Sequence, residues 1–188
     1  MRIHRLLEST GTAALLHRFA QDRKGVSAVE FAIIAPLLIT LYFGGIEVTT
    51  AVAVDRKMTL VAHTVADLVA QSSSVSRTEI TDILNAAAAV SAPYATSNLK
   101  VTVSSIVING TNQATISWSE TLNGTNRGPS DTGTIPPALI VANTSLIWGE
   151  VTYTYKPMFG TVFKTSLTLG DAIYMRPRVS ATVQGPPA

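Results

Sequence analysis

The sequence predicts an α+β protein in which a long N-terminal transmembrane helix continues onto a small antiparallel β-sheet domain. Three observations carry this. An uncharged, mostly apolar run of 16 residues, 31–46, is bracketed by Glu30 and Glu47. A helical apolar stripe follows it. From Leu99 onward the helical period gives way to alternation, with turn residues between the alternating stretches.

Residues 1–25 read as a basic leader on the cytoplasmic side. Arg2, Arg5, Arg18, Arg23 and Lys24 stand there against only Glu8 and Asp22. This bias puts the N-terminus in the cytoplasm and everything beyond the apolar run in the periplasm. The rest of the chain has nine basic and ten acidic side chains, so the pI near 9.0 belongs to the leader. That balance gives no electrostatic footprint for nucleic acid.

The transmembrane helix is predicted over residues 26–54. The 21 steps from Val26 to Glu47 rise about 32 Å, close to the hydrocarbon thickness of a bilayer. Pro36 is the one strong breaker, of a kind commoner in membrane helices than in soluble ones.

Residues 55–188 then form a periplasmic α+β domain, opening with a helix extension over 55–70. Ala51, Val54, Met58, Val61, Val65 and Leu68 step by threes and fours, leaving Asp55, Arg56, Lys57, His63 and Asp67 off the line. Such a stripe must be buried, against the chain's own C-terminal domain or against a partner helix.

A second helix is expected at about 76–90. The order Ser76-Arg77-Thr78-Glu79 suits a capping box, and Ala92-Pro93 ends the helix. The sheet follows at about 99–184. Residues 100–108 and 113–118 flank Asn109-Gly110, which suits a tight hairpin, and a parity change between Val103 and Ile106 points to a bulge.

Residues 120–137 read as a long loop with no apolar period. Ile147, Val151, Tyr153 and Tyr155 share one strand face. A last strand is predicted to set Ile173, Met175, Val179, Ala181 and Val183 on one face. Tyr174, Arg176 and Arg178 then lie opposite, as a solvated face or as an anion or partner contact. One-sided alternation implies an antiparallel sheet covered on one face, and the helix stripe is the cover.

Chemistry is sparse. The chain has no cysteine and three histidines, of which only His63 follows the apolar run. No catalytic triad, multi-histidine metal site, Walker loop or nucleophile elbow can be assembled, and acids after residue 70 stand singly. The expectation is a non-enzyme with no cofactor and no metal.

The informative stretch is Gly25-Val26-Ser27-Ala28-Val29-Glu30-Phe31. It resembles the type IV prepilin processing site, in which a membrane peptidase cuts after glycine and a glutamate stands at the fifth mature position. The physical needs match. Glycine lets the backbone reach a protease groove, and basic residues hold the leader at an anionic surface. A glutamate at membrane depth costs several kcal/mol unless paired, and cleavage between Gly25 and Val26 creates a cationic α-amine one turn from Glu30. The alternative is an uncleaved signal anchor with Glu30 at the cytoplasmic interface.

With Ala32, Pro36-Leu37-Leu38, Gly45-Ile46-Glu47, Tyr155-Lys156-Pro157-Met158-Phe159 and Arg176-Pro177-Arg178, the stretch is similar to the TadE/TadG-like family of tight-adherence (Flp) pilus assembly proteins. Phe31 departs from the tyrosine that Flp-type sites often carry. The resemblance implies a pilin-like fold and a minor pseudopilin or assembly protein in the bacterial inner membrane. Its implied partners are the prepilin peptidase, other pilins and pseudopilins, inner-membrane platform proteins and the lipid bilayer, with no nucleic acid. A membrane-anchored periplasmic binding module is the other function class. Glu47 is expected to touch water at the far interface, or else to pair with a basic group of a neighbouring helix.

Overall fold

The computed structural model describes residues 24–133, 135–160 and 162–187. The predicted leader lies outside the described residues except at its last two positions. The chain divides into two compact units, Met1–Gly45 and Ile46–Ala188.

Helix α1, Lys24–Ala70, contributes to both. In the first unit Val29, Phe31, Ile33, Leu37, Leu41 and Tyr42 are all exposed. The helix Gly25–Ala70 contains a window of mean hydropathy 2.0 with none of it buried, which fits a single-pass membrane anchor. Pro36 sits inside the helix without ending it, and the Thr40 hydroxyl donates to the Pro36 carbonyl at 2.8 Å.

In the second unit the buried line of α1 runs through Ala51, Val54, Met58, Val61, Ala62, Val65, Ala66, Val69 and Ala70. Leu68, predicted on the stripe, is only half-buried, and Val69 takes its place. A straight helix keeps about 3.6 residues per turn, so five turns after Ala51 fall on Val69 and not on Leu68.

Helix α2, Arg77–Val90, opens on a full capping box: Ser76 Oγ accepts from the Glu79 N–H, and the Glu79 carboxylate accepts from the Ser76 N–H. The Ser76 backbone N–H, and after it the Ser76 hydroxyl, hold the Glu79 carboxyl below the usual carboxylate range. Ile80, Leu84, Ala87 and Ala88 form its buried face.

Four antiparallel strands follow, β1 (Leu99–Ile108), β2 (Ala114–Leu122), β3 (Thr144–Tyr155) and β4 (Leu167–Met175), in the order β2-β1-β3-β4. Leu99, Val101, Val103, Ile147, Val151, Tyr153 and Tyr155 join the buried stripe of α1 in one core. Gly149 on β3 lies directly against the helix. A Cβ built there would lie 2.8 Å from the Ala62 carbonyl oxygen and 3.0 Å from the Ala66 Cβ. Only a residue without a side chain lets the helix lie this near the sheet.

Four expectations are corrected. The hairpin is wider than a two-residue turn: the Asn109 N–H donates to the Gln113 carbonyl, and the positive φ falls on Asn112. Asn109 Oδ1 organises the turn by accepting from the Thr111 and Gln113 N–H groups. A bulge does interrupt the β1–β2 pairing between Ser105 and Ile106, within the span of the parity change, but its extra residue, Ser117, stands in β2: Ser105 faces Trp118 and Ile106 faces Ile116, while the β1–β3 register is unbroken.

The sheet is also covered on part of its second face. Ile106, Ile108, Ile116, Leu146 and Trp148 bury there with Ile135, against Leu139 and Ile140 of the connection between β2 and β3. This cover, and not the bulge, explains why the apolar residues of β1 change faces after Val103. Finally, β4 ends at Met175, because Pro177 has no N–H with which to extend a ladder. The chain then straps the helix ends: Arg178 N–H donates to the Ala70 carbonyl, and Gln184 bonds Ser73 and Val75. Val179 is exposed rather than on a core face.

Candidate functional site

Gly25, Val26 and Glu30 stand in the first two turns of α1, all exposed. Val26 and Glu30 are four residues apart and so lie on one helix face. Glu47 follows Glu30 by 17 residues and belongs to the second unit.

Glu47 departs from what its charge suggests. Its side chain is buried, with 2% of its surface exposed. Oε1 accepts from the Gly160 N–H at 2.8 Å; Oε2 accepts from Val162 N–H at 2.7 Å and Phe163 N–H at 3.3 Å. Gly160 makes this arrangement accessible with φ +63°, in the left-handed region where a side chain is strained. Backbone amides of one turn converging on one anion act as a nest, which satisfies a carboxylate through main-chain donors. The expectation that Glu47 touches water is therefore overturned. Both of its oxygens are engaged by its own chain.

A pocket of about 120 Å³ lies beside this nest, bounded by Ile46, Thr50, Tyr155, Lys156 and Met158 as well as Glu47. Burial pushes the Tyr155 hydroxyl pKa up, and the nearby negative charge of Glu47 adds to the shift. The sequence held one signal for this site. Glu47 stands four residues before Ala51, on the same line as the buried stripe of α1.

A second polar constellation lies on the opposite face of the sheet. The Arg127 guanidinium donates from Nε and Nη2 to the two Glu150 oxygens at 2.6 and 2.7 Å, and from Nη1 to Asp131 at 2.7 Å. Its plane covers the Trp148 ring at 4.3 Å, and Trp148 stacks on Tyr174 with ring centroids 5.5 Å apart. The Arg127 N–H also donates to Ser119 Oγ, which in turn is bonded by the buried Ser104 hydroxyl. The Glu150 and Asp131 carboxylates raise the Arg127 pKa.

Every charged group here is paired within the cluster, so it acts as a clamp that holds the loop over the second core. Sequence reading missed it, because Arg127 lies in a loop without period and Glu150 looks like a solitary acid. Arg127→Ala is expected to cost about 2 kcal/mol, part of it from the charge left on Glu150. Limited proteolysis of the full chain should then cut within residues 123–143 before the sheet is touched; cleavage unchanged from the parent chain would assign the cluster no clamping role.

Arg178, predicted on a strand face, lies in the strap and pairs with Asp67 at 2.5 Å. The surface pair joins the strap to α1, with both side chains partly in water.

Gly25 to Phe31, the exposed apolar helix and most of the buried stripe all fall within one stretch of the chain. A family described as TadE-like protein matches residues 25–67. The TadE-like segment therefore includes Gly25, Val26, Glu30 and Glu47, and it ends before the sheet and before the turn that Glu47 holds. No curated protein and no solved structure matches the chain.

Proposed function

We propose that the chain is a minor pseudopilin or assembly protein of a tight-adherence (Flp, type IV-like) pilus. It is anchored in the inner membrane by α1, with its N-terminus cytoplasmic and residues 55–188 periplasmic. The role is structural, not catalytic. The observation that carries the reading is the TadE-like match over the residues that hold Gly25, Val26, Glu30 and the exposed apolar helix. In this reading a prepilin peptidase cuts between Gly25 and Val26. The new α-amine, one turn from Glu30, then pairs with that carboxylate in the same chain or a neighbouring one and sets the axial register of assembly. The other partners are further pilins and pseudopilins, the inner-membrane platform proteins and the bilayer.

Intact mass and N-terminal sequencing of the protein from membranes of cells with and without the peptidase test this. The expected result is a start at Val26 that depends on the peptidase, with Glu30→Leu inserting normally but failing to assemble. Retention of Met1 in both strains would make the chain an uncleaved anchored periplasmic module, and normal assembly of Glu30→Leu would remove the pairing step.

A further inference from the structure

We infer that the turn around Gly160, described at residues 158–160 and 162–163, rests in the lipid interface beside the point where α1 leaves the bilayer, and that Glu47 holds it there. The inference rests on the membrane-crossing part of the proposed function and goes beyond it. Glu47 directly follows the apolar run in the chain, and its carboxylate bonds the Gly160, Val162 and Phe163 amides. The turn is thereby fixed at the level at which the run ends.

The turn's surface suits lipid. Met158 is 84% exposed, Val162 51% and Phe159 47%. Among the described residues of the second unit, no other five-residue stretch exposes three large apolar side chains. Lys156 and Lys164 flank the turn, both exposed, and no acid lies between them. Apolar side chains between lysines match the boundary between acyl chains and anionic headgroups.

Irregular backbone entering this region needs partners for its N–H groups, since the hydrocarbon beneath supplies none. The Glu47 carboxylate supplies them, and the same bonds satisfy a charge that membrane depth would otherwise penalise. A protein partner fits less well. Three apolar side chains fall far short of the ~800 Å² per partner of a standard interface.

The chain has no cysteine, so single-cysteine variants of the full-length protein can each carry one environment-sensitive nitrobenzoxadiazole label. Met158→Cys and Val162→Cys report on the turn and Leu41→Cys on the apolar run. Thr115→Cys lies on β2 at the level of Ser145, about 33 Å along β3 from Tyr155. The probe is a proteoliposome of phosphatidylethanolamine and phosphatidylglycerol.

The expected result is blue-shifted emission at Leu41, Met158 and Val162, quenched by doxyl-labelled lipid and shielded from aqueous iodide, with Thr115 showing the reverse. Adding Glu47→Ala should return the Met158 label to iodide. Labels at both turn positions that behave like Thr115, with Leu41 still in lipid, would overturn the inference alone. A Leu41 label open to iodide would overturn the membrane crossing itself. Turn labels that quench one another and ignore doxyl lipid would assign the patch to a second copy of the chain, and so overturn the lipid assignment.

Discussion

Glu47→Ala is expected to destabilise the turn around Gly160 by about 3 kcal/mol, which corresponds to roughly two orders of magnitude in its opening equilibrium. A net hydrogen bond to a charged acceptor contributes about 1.5–3 kcal/mol, and three amides share this carboxylate; rehydration of the freed amides returns part of that sum. Hydrogen exchange of the full chain in micelles checks the prediction. Protection should fall at the Gly160, Val162 and Phe163 amides and stay unchanged in β1 and β3. Glu47→Gln keeps one carbonyl oxygen in place and loses the charge, so it should fall between the parent and the alanine variant. Equal exchange in all three proteins would mean that the nest contributes nothing to holding the turn.

Gly149→Leu should lower global stability by about 4 kcal/mol, and Gly149→Ala by about 2 kcal/mol. The added Cβ would meet the Ala62 carbonyl oxygen at 2.8 Å, and that atom belongs to helix backbone which cannot swing aside as a side chain would. Either α1 lifts from the sheet, opening space along Val61, Val65 and Val69, or β3 bows away and strains its pairing with Val103 on β1 and Ile173 on β4. The higher strand propensity of leucine does not offset a clash of this kind. Denaturant unfolding followed by the fluorescence of Trp118 and Trp148 measures the loss. A leucine variant with the parent's midpoint would show that helix and sheet have slack at this contact.

Both residues show where sequence reading ends. Gly149 sits in a strand whose neighbours Ile147, Val151, Tyr153 and Tyr155 announce a core face by their alternation, yet the missing side chain is as informative as those present. It marks the helix crossing, which period-two reasoning cannot locate. Glu47 lies on the stripe that the spacing of Ala51, Val54 and Met58 defines. A carboxylate is assigned to water by default; the step of four from Glu47 to Ala51 extends that stripe by one more turn and points to a neighbouring helix, but neither reading names the turn around Gly160.

The loop at residues 123–143 repeats the lesson. Ile135, Leu139 and Ile140 are too irregularly placed to show a period, but they cover the far side of β1 because Arg127 anchors the loop to Glu150, 23 residues away. The strand assignment beyond Met175 erred for a local reason that was visible. Pro177 interrupts the alternation, and a proline at that point argues for an end to pairing.

The sequence by itself determined the α+β class, the apolar helix, the position of its buried stripe, the cap at Ser76 and the presence of antiparallel strands. Each of these is written in residues one turn or one pleat apart, where the burial period and local hydrogen bonds act directly. Tertiary structure alone decided the order β2-β1-β3-β4, the path of the chain after β4, and the partner of Glu47 more than a hundred residues away. That partner is a set of backbone amides, groups that almost every residue carries and that no side-chain pattern can mark.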